Sequence, residues 1–365
     1  MISDRVLDLA VERGLIVQGQ ALALRSLARE VEGKAPDEVA EAVDEERLRF
    51  VTGFADIFVT LGIALFLGAA AYLVAKSGTP ALTAGALAAM SWGLAEFFTR
   101  RRRMAFPSIV LLVVFACSSF VTLSLLLGGD RSEALSALLG WTRPWAFGLA
   151  AKPSEAGPVA WAALGTAALT ALHYWRFRVP ITVAAGVFAL ALAFVTILTG
   201  MFPALMAKLS TAVILVLGLV IFALAMRFDL SDPKRETRRT DIAFWLHLLA
   251  APMIVHSVFH GIGVTSRGLG LSAAVLVLLI FAGLAIVAVL VDRRALLVSG
   301  LVYAGIAFGK LFQTIGFKDQ TGPVTVLVLG AFVLLLSAGW TRLRAVVIGQ
   351  LPDEWAARLP AHAPR

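Results

Sequence analysis

The sequence predicts an all-α fold: a polytopic transmembrane helix bundle of about ten spans, N-in and C-in, with a small N-terminal cytoplasmic helical segment. Three observations carry this reading: the composition, the spacing of apolar runs, and the alternation of basic residues between them. Of 365 residues, 59% are hydrophobic and 15% charged, and the mean hydropathy is +0.86. A soluble domain carries about 25% charged residues, so a soluble enzyme, a disordered chain and a collagen-like fibre are excluded. The 32 Lys and Arg against 24 Asp and Glu leave a net charge of +8. Such an excess elsewhere points to nucleic acid, but here membrane topology accounts for it and no nucleic-acid partner is expected.

A helix rising about 1.5 Å per residue crosses a hydrocarbon core of roughly 30 Å in about 20 residues. Apolar stretches of that kind fall at 55–75, 80–98, 105–127, 158–175, 179–200, 207–226, 241–261, 269–291, 295–315 and 323–341. The domain plan is therefore a cytoplasmic helical segment over 1–53, a bundle over 54–341 and a cytoplasmic tail over 342–365. Cytoplasmic loops collect Lys and Arg. Of the 32, 24 fall in the N-terminal segment, the tail and alternate loops, seven in the other loops, and Lys310 within a span. Both termini are expected in the cytoplasm.

Residues 1–50 carry charges of both signs, unlike the apolar core of a cleavable signal peptide, so the first span is expected to remain as an anchor. The single cysteine, Cys117, lies in an apolar run and permits no intramolecular disulfide. Ser3 is placed to cap a first short helix, Gly14 to end it, Gly33 to end a second, and Pro36 to open a third. Leu7, Val11, Leu15, Leu22 and Leu27 give this segment apolar surface. It reads as a solvated cap on the bundle, or as a hairpin at residues 1–50 that binds a protein partner. The loop 128–156, with Trp141 and Trp145, reads as an interfacial helix, because indoles prefer the headgroup zone.

The hairpins AEFFTRRRR (95–103), HYWRFR (173–178), AMRFD (225–229) and VLVDRR (289–294) rhyme. Duplicated two-helix units would give this rhyme. Aromatic belts and positive-inside residues give it without ancestry.

Ionisable residues within a span are costly and mark functional positions. Asp56 and Glu96 fall near the cytoplasmic face, and Glu96 is placed for a helical ion pair with Arg100, four residues on. The seventh span, DIAFWLHLLAAPMIVHSVFHG, holds three of the five histidines. His256 and His260, four apart, share a face, whereas His247 points to the opposite one. Pro252 between them withholds a backbone donor from Leu248 and is the expected kink or gating point. In the ninth span Lys310 and Gln313 fall at a matching depth. If spans seven and nine are neighbours, His256, His260, Lys310 and Gln313 form a basic, outward-facing pocket for a small polar or anionic solute, with Arg267 above it. The plain alternative is a snorkelling lysine and histidines bonded to backbone carbonyls.

Weaker patterns compete with it. His256 and His260 have the spacing of metal ligands, but Ser257 replaces the glutamate of HExxH, so no metal site is expected. His173 and His247 on facing helices would suit axial haem ligation; satisfied structural histidines read as well, and no cofactor is firmly indicated. Gly305, Gly309 and Lys310 lack the spacing and hydroxyl of a phosphate loop, and instead permit close helix packing. Ser118, Ser119, Thr122 and Ser124 line a pocket or bond back to their own helix.

At VERGLIVQGQALAL, followed by a charged helical segment and many apolar spans, the chain resembles uncharacterised bacterial multi-spanning inner-membrane proteins with a short N-terminal cytoplasmic helical hairpin. The resemblance rests on the GLI turn and the Gln and Ala positions after it, and covers about the first 75 residues. It implies the bacterial cytoplasmic membrane and supplies no catalytic residues. The expected function is a transporter or permease-like protein acting on a small polar or anionic solute. The alternatives are a non-transporting sensor, assembly or scaffold component using the cytoplasmic hairpin, and an intramembrane haem-binding protein or enzyme.

Overall fold

The computed structural model describes residues 54–130, 156–232, 237–261, 270–317 and 319–350, with residue 352 and scattered positions in the first 24. The chain divides into two compact units, Met1–Arg49 with His362–Arg365, and Phe50–Ala361. In the first, Leu7 and Ala21 are buried, and the Gln20 side chain accepts from the Val17 amide at 3.0 Å. The expected caps at Ser3 and Gly14, most of the partner-binding hairpin, the interfacial helix with Trp141 and Trp145, and Arg267 all lie outside the described residues.

Among the described residues the second unit is ten long helices with no strand: α1 Phe54–Ser77, α2 Pro80–Ala95, α3 Ala105–Leu126, α4 Ala156–Phe177, α5 Ile181–Met201, α6 Pro203–Leu230, α7 Arg238–Gly261, α8 Leu271–Val291, α9 Ala295–Ile315 and α10 Thr321–Ile348. A π-helical turn, Glu96–Arg101, extends α2. Eight helices are long and apolar enough to cross a membrane; α4 and α9 are not among these eight. Helices satisfy their backbone groups internally, which is what hydrocarbon demands of a spanning segment. Helix α2 starts where Thr79 caps it, its hydroxyl accepting from the Leu82 amide at 3.2 Å, with Pro80 in the first turn.

Helices α1 and α10 expose large apolar side chains, among them Phe58, Leu65, Leu334 and Leu335, the surface a bilayer covers. Helix α7 is the opposite case. Its apolar window is 56% buried, against 11% for α10, so it is the inner helix around which others pack.

Successive helices pair as hairpins: α2 with α3, α4 with α5, α6 with α7, and α8 with α9. Among the described residues, the turns of the α2–α3, α4–α5 and α8–α9 hairpins each contain a non-glycine residue in left-handed conformation: Arg103 (φ 53°), Arg178 (φ 56°) and Asp292 (φ 58°). The rhyme seen in the sequence therefore has a counterpart in the backbone. At Asp292 the turn closes α8 by a Schellman arrangement, with the Arg293 amide donating to Ala288 O at 2.9 Å and the Asp292 amide to Val289 O at 3.3 Å.

Two helices run beyond their expected ends. Helix α6 reaches Leu230 rather than 226, and α10 reaches Ile348 rather than 341. Hydropathy falls where charges begin, but the helices continue and one charge in each extension is taken into the protein: Asp229 and Arg344 are 3% and 1% exposed, while Arg227 and Arg342 stay exposed.

The hairpin α6–α7 is held close by Gly218, where a Cβ would lie 2.9 Å from Ile254 Cγ1 and 3.0 Å from Met253 Cβ. Gly305 and Gly309 lie against α10, since a Cβ on each would meet Leu329 at 3.1 Å and Thr321 at 3.7 Å. That is the packing use expected of the small-xxx-small pair.

Candidate functional site

Helix α7 carries two different faces. Trp245, Leu248, Leu249, Pro252, Met253 and His256 follow the i, i+3, i+4 stripe of one face, and all six line a cavity of about 550 Å³. The facing walls come from α3 (Leu112, Val113, Ala116, Cys117, Phe120), α4 (Thr166), α5 (including Ile181, Phe188 and Leu192) and Ile214 of α6. Among the described residues, no Lys, Arg, Asp or Glu contributes to this wall. The Thr166 hydroxyl donates to its own helix at Ala162 O, 2.8 Å away. Pro252 lies inside the helix and has no N–H for the Leu248 carbonyl, so a backbone acceptor without its α-helical donor belongs to a residue of the wall. On the wall, His256 Nδ1 and the Tyr303 hydroxyl of α9 form a hydrogen bond. Their rings meet edge to face with centroids 5.1 Å apart, and the Phe259 ring lies tilted against that of Tyr303, centroids 4.3 Å apart.

The other face of α7 presents His247, which is fully buried, to a charged cluster at the turn end of the hairpins. His247 Nε2 donates to Asp229 Oδ2 of α6 at 3.0 Å, and its ring lies 5.1 Å from Phe222. Arg293, from the α8–α9 turn, grips the same carboxylate with two nitrogens, Nε to Oδ2 at 3.1 Å and Nη2 to Oδ1. Its neighbour Asp292 accepts from Trp340 Nε1 at 2.8 Å and pairs with Arg344 Nη1 at 3.4 Å, both on α10. The Arg294 guanidinium stacks over the Trp340 ring at 5.2 Å. Asp229, Asp292, Arg293, Trp340 and Arg344 are each no more than 3% exposed. A charge removed from water is costly unless opposed and hydrogen-bonded, and here each carboxylate faces an arginine. The cluster ties α6, α7, the α8–α9 turn and α10 together. Beside it, Asp232 Oδ2 accepts from the Thr237 amide and hydroxyl at 2.8 and 2.6 Å and from the Thr240 hydroxyl at 3.0 Å, which fixes the start of α7.

A second tie joins the first two hairpins. Glu96 accepts from Arg176 Nε at 2.8 Å and Nη2 at 2.9 Å, and from Arg100 at 3.4 Å. The expected Glu96–Arg100 pair is present, and the stronger partner comes from α4. Asp56, expected near an interface, is buried.

Of the sequence-predicted site residues, the structure brings His256 and Pro252 to the cavity wall, while His260, Lys310 and Gln313 are not part of that wall. Helices α7 and α9 are neighbours, as the pocket required. His260 Nδ1 instead lies 3.2 Å from the Thr211 hydroxyl of α6. Lys310 is half-buried and Gln313 exposed. Ser118 and Thr122 bond back to their own helix. His173 sits in a box of Trp92, Phe115 and Phe177 rings, centroids 5.7, 5.3 and 4.6 Å away, with Nδ1 3.4 Å from the Thr182 hydroxyl. The two histidines considered for haem thus face different partners. Among the described residues no three His, Cys, Asp or Glu gather as metal ligands.

Sequence reasoning missed Asp229, Asp292, Arg293 and Arg344, having placed them in solvated basic turns and the tail. The available signal was an aspartate beside the basic residues of both AMRFD and VLVDRR. Comparison with known families, with curated proteins and with solved structures finds no match.

Proposed function

We propose that the chain is a transporter or permease-like protein of the bacterial cytoplasmic membrane, with ten spans and both termini in the cytoplasm. In this reading the basic hairpin turns and the buried ionic cluster lie at the cytoplasmic side, consistent with the positive-inside rule. The single observation that carries it is the construction of α7. One face borders a cavity of about 550 Å³, within the size range of small-molecule sites, while the other is tied by His247 to Asp229 and Arg293. A proline-bearing helix joined to both a cavity and an ionic tie is the kind of part that an alternating-access cycle uses. The ionic cluster then acts as the cytoplasmic closure. The uncharged wall favours a neutral substrate over the anionic solute that the basic pocket suggested.

Cys117, on the cavity wall and the only cysteine, supplies the test. In oriented membrane vesicles a charged, impermeant thiosulfonate applied from the cytoplasmic side should label it slowly, and faster once Asp229→Ala breaks the closure. Equal labelling of the two proteins from both sides would overturn the reading.

A further inference from the structure

The chemistry of the cavity narrows what it takes. We infer that it binds a neutral, lipid-soluble molecule with an apolar body and a hydrogen-bond-accepting carbonyl, of the quinone class, held by His256; the inference rests on the cavity assigned above as the substrate site. The wall is mostly aliphatic and aromatic carbon and, among the described residues, has no ionised group, so a charged solute would enter without a counter-charge and pay its full desolvation. An unbranched hydrocarbon would need no polar partner. Besides the Thr166 hydroxyl, which is bonded to its own helix, the cavity has such a partner on its wall in the imidazole of His256, which is bonded to Tyr303.

That bond sets the donor. The Tyr303 hydroxyl is bonded to His256 Nδ1, and a phenolic O–H is the stronger donor of the two groups, so it donates to the imidazole. A neutral imidazole that accepts at Nδ1 carries its proton on Nε2. His256 therefore offers an N–H, which matches a carbonyl oxygen rather than a second donor. Phe259, packed against Tyr303, and the buried setting of Tyr303 hold the pair in place. Lower on the same face, Trp245, Leu248 and Leu249 continue the apolar wall, where a hydrocarbon tail is accommodated.

The reporter is again the one cysteine on this wall. In purified full-length protein, a fully ring-substituted benzoquinone bearing a decyl chain should slow alkylation of Cys117 by N-ethylmaleimide, while decylbenzene, which lacks the carbonyls, should protect far less. Loss of one neutral hydrogen bond should raise the quinone concentration for half-protection by about threefold to tenfold in His256→Phe. His256→Gln, which keeps an N–H donor, should retain most of the protection and guards against a folding defect. Equal protection by decylbenzene means that the cavity takes an acyl chain only, and undiminished protection in His256→Phe means that the carbonyl is not read there; either result overturns the inference. Transport stands apart from this outcome: quinone protection with sidedness that ignores Asp229→Ala would keep the ligand and reject the transporter.

Discussion

Among the described residues, two arginine–carboxylate ties join one helical hairpin to another, and they differ most in burial. Glu96 with Arg176 and Asp229 with Arg293 are both gripped by two nitrogens of the guanidinium. The first pair leaves 34% and 30% of its side chains exposed, the second 2% and 3%. Water around the first screens the charges and solvates either partner if the other is lost. Around the second there is only protein, including the ring of His247, so neither charge has an alternative. The same chemistry is thus an accessory contact in one place and a structural commitment in the other.

The sharpest way to break the comparison is to remove one partner from the buried tie. Asp229→Ala strands Arg293 in a closed site, and such a loss costs about 3–5 kcal/mol. Unfolding of the detergent-solubilised protein by added sodium dodecyl sulfate should reveal it. Replacing both charges together, as Asp229→Leu with Arg293→Met, should recover much of that loss, because no charge is then left uncompensated. A single-variant loss below about 1 kcal/mol would show that the buried pair behaves like a surface one.

The next effect concerns the contact that holds α6 against α7 and so brings Asp229 to His247. Gly218→Ala places a methyl 3.2 Å from the backbone nitrogen of Ile254 as well as against two side chains. Overpacking of this kind costs about 1–3 kcal/mol. Gly62 of α1 is the control, since a Cβ there meets nothing within 4 Å, and alanine should be neutral or stabilising by about 0.5–1 kcal/mol through its helix propensity. Thermal unfolding of the two variants in the same detergent separates them, and a Gly218→Ala protein as stable as Gly62→Ala would remove the close approach as a determinant.

Smaller still is the exposed tie. Glu96→Gln should cost no more than about 1 kcal/mol, and the difference from wild type should shrink at high salt, where the Debye length falls to about 3 Å. The Asp229→Ala difference should not shrink in the same titration, because its charges lie out of reach of the ions.

The sequence made the helices legible and their inner chemistry much less so. All ten apolar runs are helices, and most of their ends fall within a few residues of the expected ones, with α10 running seven residues further. Hydropathy sees lipid-compatible carbon, and α1 and α10 are built of little else. It cannot see phase between helices. His247 was read correctly as opposite to His256, but its partner Asp229 lies 18 residues earlier across a turn, and Arg293 lies 64 residues beyond Asp229. The same holds for the cavity: the stripe Trp245 to His256 has the spacing of an ordinary core face, and only the positions of α3 and α5 leave it open. His260, Lys310 and Gln313 matched in depth along their helices, yet depth does not fix azimuth, and His260 turns to Thr211 instead.

The smallest predicted effect is at His173, and the other fully enclosed histidine, His247, is its reference. His247 donates to a carboxylate, so His247→Phe removes a hydrogen bond to a charged group and should cost about 1.5–3 kcal/mol. His173 has a distant contact with Thr182, and its Nε2 is buried without a hydrogen-bond partner among the described residues. Its surroundings are three aromatic rings. In His173→Phe the gain from removing an unsatisfied nitrogen, about 1–3 kcal/mol, is opposed by the larger ring and the lost Thr182 contact, which together cost about the same. The net change should therefore lie within about 1 kcal/mol of zero. A His173→Phe protein destabilised as much as His247→Phe would mean that the Nε2 of His173 has a partner that matters, and that the aromatic box is a site rather than packing.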